Sequence, residues 1–106
     1  VGRTKEMIIR SGFNVYPAEV EAVLSSHEDV VQSAVVGRAA DGNEEVVAFV
    51  QLLKGSKVTP SDLMSFAGKQ LTSYKRPSQI IVLDALPATS TGKILKHKLA
   101  ESLRTT

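Results

Sequence analysis

Three features of the sequence predict an α+β fold: two short β-branched runs around Ser11-Gly12, two longer strand-like runs around a turn at residues 40–43, and helical stripes that open on Pro17 and Pro60. Together they predict a small, mostly antiparallel sheet of about three strands covered by helices, with an N-terminal two-stranded hairpin. At 106 residues the chain is one domain, with a single modest core and too little material to enclose a large substrate as well.

Met7-Ile8-Ile9-Arg10 is apolar and partly β-branched, and Phe13-Asn14-Val15-Tyr16 alternates. The Ser11-Gly12 pair between them reads as a hairpin turn, with Gly12 supplying the unusual backbone angles. Pro17 suits the first position of a helix, Glu19 and Glu21 suit its positive end, and Val20, Val23 and Leu24 form an i, i+3, i+4 stripe. This predicts a helix over residues 17–26. Val31, Ala34, Val35 and Val36 lie among polar positions before the turn, and an apolar run over 46–53 follows it, so the two make an antiparallel hairpin at the centre of the sheet. Thr59 is placed to cap a second helix, with Pro60 at its first position, Asp62 behind, and Leu63, Phe66, Ala67 and Leu71 facing inward. Pro77 disfavours a helical Arg76 and breaks that helix, residues 79–83 supply a third strand, and Ile94, Leu95, Leu99 and Leu103 mark a final helix.

The composition excludes several function classes. There is no cysteine, which removes disulfides and thiolate metal sites and fits a reducing interior, so a cytoplasmic location is expected. No apolar run approaches membrane-spanning length and no signal-like segment opens the chain. His27 and His97 are far apart and have no clustered carboxylates, so no metal site is expected. Ser11, Ser25, Ser26 and Ser90 lack a Gly-x-Ser-x-Gly context. The net charge is only +2, and Phe13, Tyr16, Phe49, Phe66 and Tyr74 are too scattered to form a base-stacking platform, so no nucleic-acid partner is expected. A first residue other than Met, already inside a patterned segment, reads as a piece of a longer protein.

One loop concentrates the chemistry. Pro87-Ala88-Thr89-Ser90-Thr91-Gly92-Lys93 follows the Ile80-Ile81-Val82-Leu83 run and leads into the last helix. It is not a phosphate-cradling P-loop, because Pro87 stands where the first Gly belongs and Ile94 where Ser or Thr is required. Small hydroxylated residues closed by Gly-Lys can carry an ammonium to phosphate or carboxylate oxygens in a site built by something else. They can equally be a polar loop with a solvated lysine, and the residues alone leave both readings open.

Four segments taken together resemble a known family. Gly2-Arg3-Thr4-Lys5, the run from Ser11 through Phe13-Asn14-Val15-Tyr16-Pro17 to Glu21, Tyr74-Lys75-Arg76-Pro77, and the loop ending at Lys93 look like the C-terminal lid domain of AMP-forming acyl-CoA synthetases. The resemblance covers essentially the whole chain. It departs at Lys5, where an acidic residue is common, at Ala40, where Asp is common, at Glu44, where Gly is common, and at Lys96, where Arg is common.

The resemblance implies the C-terminal part of an enzyme that joins a carboxylic acid, fatty or aromatic, to ATP and then passes the acyl group to coenzyme A. ATP, Mg²⁺ and the acid would be held by an N-terminal domain absent from this chain. Residues 1–5 would form a hinge segment and 6–106 the lid, so the expected partners are that N-terminal domain, coenzyme A and the acid. Lys93 is implied as the catalytic lysine bridging the carboxylate and the α-phosphate, Lys5 as the hinge, and Arg3 as a nucleotide-binding residue. Ser11, Gly12 and Phe13 are implied to line the pantetheine tunnel, and Tyr74 and Arg76 to contact the nucleotide end of coenzyme A. Two alternatives stand beside this reading: the lid of an adenylating domain that loads a carrier protein, and a non-catalytic small binding module.

Overall fold

The computed structural model describes residues 7–40 and 43–104. Strands β1 (Ile8–Arg10) and β2 (Phe13–Val15) pair antiparallel, with Ile8 opposite Val15 and Arg10 opposite Phe13. The two-residue loop is therefore Ser11-Gly12, as the sequence predicts. Pro17 opens helix α1 (Pro17–Ser25), which places Glu19 in its first turn.

Strands β3 (Val30–Ala40) and β4 (Asn43–Leu52) pair antiparallel nearly end to end, with one irregularity between Val30 and Gln32. Strand β5 (Gln79–Leu83) joins the other edge of β4 in parallel, giving the order β3-β4-β5. The sheet is thus mixed, and its longer pairing is the antiparallel one. A parallel neighbour needs a crossover, and helix α2 (Pro60–Gly68) supplies it.

Central strand β4 is covered on both faces, which is why its sequence is a continuous apolar run rather than an alternation. Val46, Ala48 and Val50 pack with Leu24 of α1 and Leu63 of α2. Val47 and Phe49 pack on the opposite face with Leu86 and with Leu99 of helix α3 (Lys96–Arg104). The sheet therefore separates two cores. Ile8 and Val15 of the β1–β2 hairpin belong to the first, and Ile94 packs against the second.

Two helix ends differ from the sequence expectation. Helix α2 stops at Gly68, after which the Leu71 amide still bonds to the Ala67 carbonyl and Leu71 stays buried, so a tight turn does what a longer helix was expected to do. A single 3₁₀ turn follows at Ser73–Lys75. Helix α3 begins at Lys96, because Ile94 is taken by a bridge to Ala88 and the Leu95 amide bonds to the Pro87 carbonyl.

Candidate functional site

The hairpin tip is a left-handed turn. Ser11 has φ 52° and Gly12 φ 83°, the two positive values of the hairpin turn whose twist matches its strands. A Cβ added at Gly12 would meet nothing within 4 Å. The glycine is thus required here by backbone angle and not by crowding within the domain, and its outer side faces open space. Ser11, Gly12 and Phe13 are all exposed, Phe13 to 53%.

Of the five residues implied for coenzyme A binding, Phe13 of the hairpin and Tyr74 of the 3₁₀ turn are in direct contact, which brings the two segments together. The Phe13 ring stacks on Tyr74 with centroids 4.5 Å apart. Arg10, half-buried on β1, donates from Nη1 to the backbone carbonyls of Tyr74 and Arg76, and so ties the hairpin to the 3₁₀ turn. The Arg76 side chain is exposed and donates from Nε to the Leu71 carbonyl at 3.0 Å, which lays it across the end of α2 beside Gly68. Between them, Lys75 Nζ lies 2.9 Å from Glu19 Oε2 and 5.7 Å from the centre of the Tyr74 ring. The Glu19 carboxylate that accepts its hydrogen bond holds the Lys75 ammonium above the ordinary lysine value.

Lys93 is held by a separate set of contacts. Its carbonyl accepts from the Thr89 amide at 2.8 Å, its own amide donates to Thr89 Oγ1 at 3.1 Å, and Ala88 bridges Ile94 just outside. The Thr89 and Thr91 hydroxyls bond to each other at 2.9 Å, which explains the hydroxylated composition of the loop. The backbone at Lys93 is tied on both sides while the residue itself is exposed. This is a cation on a preorganised support, with no anion beside it within the turn.

Arg3 and Lys5 lie outside the described residues. The histidines do not converge: His27 packs edge-on against Phe66 with centroids 4.9 Å apart and accepts the Asp29 amide on Nδ1, whereas His97 is exposed on α3. Among the described residues no group of three or more His, Asp or Glu could hold a metal ion. Lys96 forms an ion pair with Glu21, whose carboxylate also accepts the Val35 amide, so α3, α1 and β3 are pinned at one point. Sequence reasoning missed Arg10, Asn43 and Glu44, all of which bond to or from the hairpin across long sequence separations. The sequence marks Asn43 as a turn residue and Glu44 as a departure from the resembled family's pattern, and neither feature names the hairpin as a partner.

Residues 19–93 match the family described as the AMP-binding enzyme C-terminal domain. The chain belongs to this family. As an AMP-binding enzyme C-terminal domain it is 40% identical over 101 residues to a mitochondrial medium-chain acyl-CoA ligase of Danio rerio, an alignment covering 94% of this chain and 17% of that protein. It is 39% identical over 104 residues to a long-chain-fatty-acid CoA ligase of Escherichia coli, covering 98% of this chain and 18% of that one. Apo MatB from Rhodopseudomonas palustris superposes with a TM-score of 0.89 at 37% identity, over 98% of this chain and 21% of that chain. A Mycobacterium tuberculosis fatty acyl CoA synthetase does so with a TM-score of 0.87 at 36% identity, over 97% and 20%. The domain thus spans between 17% and 21% of the length of these relatives.

Proposed function

We propose that this domain is the lid of an ATP-dependent, AMP-forming acyl-CoA synthetase, joined through a hinge over residues 1–5 to an N-terminal domain that holds ATP, Mg²⁺ and the acid. The observation that carries the reading is the separation of the implied residues into two groups rooted in different cores. The hairpin and Tyr74 pack on the α1–α2 side of the sheet, and the Lys93 turn is anchored through Leu86 and Ile94 on the α3 side. A domain with two such working faces suits a reaction in two halves.

In the first half, an oxygen of the substrate carboxylate attacks the α-phosphorus of ATP, and pyrophosphate leaves. Two anionic groups approach each other in this step, and the Lys93 ammonium offsets their repulsion as charge shifts. In the second half, the sulfur of coenzyme A attacks the carbonyl carbon of the acyl-adenylate and AMP leaves. The Ser11-Gly12 turn, open on its outer side, flanks the pantetheine arm, while Tyr74 and Arg76 offer an aromatic face and a guanidinium to the nucleotide end. The names of the relatives favour a fatty acid as the substrate, and the absence of cysteine from the sequence supports a cytoplasmic setting.

Lys93→Ala in the full-length enzyme tests the assignment. It should lower acyl-adenylate formation by about two to three orders of magnitude, the scale of losing one preorganised electrostatic contact. Thioester formation from preformed adenylate should be spared, and equal losses in both halves would make Lys93 a structural residue.

A further inference from the structure

The hairpin that carries Ser11, Gly12 and Phe13 has three residues in each strand and forms a sheet of its own. A two-stranded ribbon has little independent stability, and the buried side chains Ile8 and Val15 anchor its base rather than its tip. The position of the tip therefore depends on contacts made from outside. The Ile9 amide, on the edge of β1 away from β2, donates to Glu44 Oε1 at 2.8 Å. The Ser11 amide, in the turn itself, donates to Asn43 Oδ1 at 2.6 Å. Two consecutive side chains at the start of β4 thus serve one amide of β1 and, two residues on, one of the turn, as the carbonyls of a neighbouring strand would.

Gly37 of β3 makes room for this arrangement. A Cβ there would stand 3.0 Å from Glu44 Oε2 and 3.2 Å from Ile8 Cγ1, so a side chain at 37 would press on both the carboxylate and the hairpin base. On the other flank, Arg10 and the Phe13–Tyr74 stack tie the hairpin to the 3₁₀ turn. Of the two flanks, only the one at β4 reaches the turn residue Ser11, whose positive φ is an uncommon state for a residue with a side chain.

We propose that Asn43 and Glu44 are positioning residues for thioester formation: acting through the Ile9 and Ser11 amides, they hold the Ser11-Gly12 turn where it flanks the pantetheine arm of coenzyme A. The proposal rests on the lid function above. Neither side chain touches the coenzyme. Their loss lets the tip depart from its bound-state position, which weakens coenzyme A capture, while adenylation depends on the Lys93 turn rooted in the other core.

The test uses the full-length enzyme and measures the two half-reactions separately. Asn43→Ala and Glu44→Ala should each raise KM for coenzyme A about tenfold, the scale of one lost hydrogen bond, with pyrophosphate release in the absence of coenzyme A kept within about twofold. Asn43→Asp and Glu44→Gln, which keep an acceptor oxygen in place, should restore most of the loss. Amide exchange in the 8–15 segment should quicken in the alanine variants and not in the conservative ones. The proposal is overturned if the alanine variants leave KM for coenzyme A unchanged, if both halves fall equally, or if the conservative variants behave like alanine. Gly12→Leu, assayed alongside, separates the two readings. If it blocks thioester formation while the alanine variants do not, the turn's place beside the pantetheine arm stands and the positioning role falls; if it spares thioester formation, the turn has no role in that step and the positioning role falls with it, while the lid reading is judged by Lys93→Ala.

Discussion

Lys75 and Glu19 show how a single contact acquires a pH signature. Because the carboxylate raises the folded-state pKa of Lys75 above its ordinary 10.5, the pair's contribution to stability is complete below that value and is lost as pH rises through the folded value. Glu19→Gln should therefore lose less stability than the parent protein between pH 8 and the alkaline range above 10.5, and thermal melts at the two ends check this. At the residue scale the sequence was informative where chemistry is local. Gly12 followed from a two-residue hairpin loop, and Lys93 stood out at the end of a hydroxylated loop whose threonines turn out to brace its backbone. Arg10, Asn43 and Glu44 were not legible, because each owes its role to a partner more than 30 positions away: |i−j| is 35 for Ile9 with Glu44 and 66 for Arg10 with Arg76. No local pattern encodes which backbone amide a side chain will meet across such a gap.

Helix α2 is the element whose start is most completely written in its residues. Thr59 Oγ1 accepts the Asp62 amide at 3.1 Å and Asp62 Oδ2 accepts the Thr59 amide at 3.0 Å, a reciprocal capping box. Thr59→Ala should destabilise the domain by about 1 kcal/mol, measured by denaturant unfolding, with the slope unchanged. A loss well under that would mean that Pro60 and packing set the helix start without the box. Helix ends were harder to read than starts. The apolar stripe of α2 continues through Leu71, yet Gly68 ends the helix, because a turn delivers Leu71 to the core just as well. The stripe of α3 begins at Ile94, yet the Ala88–Ile94 bridge takes that residue first. In both cases the hydrophobic pattern reported burial correctly, and backbone hydrogen bonding decided the conformation. The direction of β5 was likewise open, since its parallel pairing is set by the path of the α2 crossover and not by anything within Gln79–Leu83.

The whole molecule is organised by its central sheet, which keeps the hairpin cluster and the Lys93 turn on separate cores. On the proposed function, the domain brings one catalytic cation and an exposed hairpin to a site that a partner domain completes. The 106-residue chain alone should unfold and refold reversibly, and should release no pyrophosphate from ATP with any carboxylic acid; measurable release would contradict the lid reading. Its fold class and element order were legible because each strand and helix carries its own period and punctuation. Its two-faced character was not legible without the family resemblance, since the assignment of Ile8 and Val15 to one core and Leu86 and Ile94 to the other emerges only from the three-dimensional packing. The most direct measurement is acyl-adenylate accumulation in full-length Gly12→Leu supplied with ATP, acid and coenzyme A. With its melting temperature close to that of the parent, this variant should form adenylate at the normal rate and accumulate it while thioester formation fails. A matched fall in both half-reactions would contradict the division of labour between the two faces.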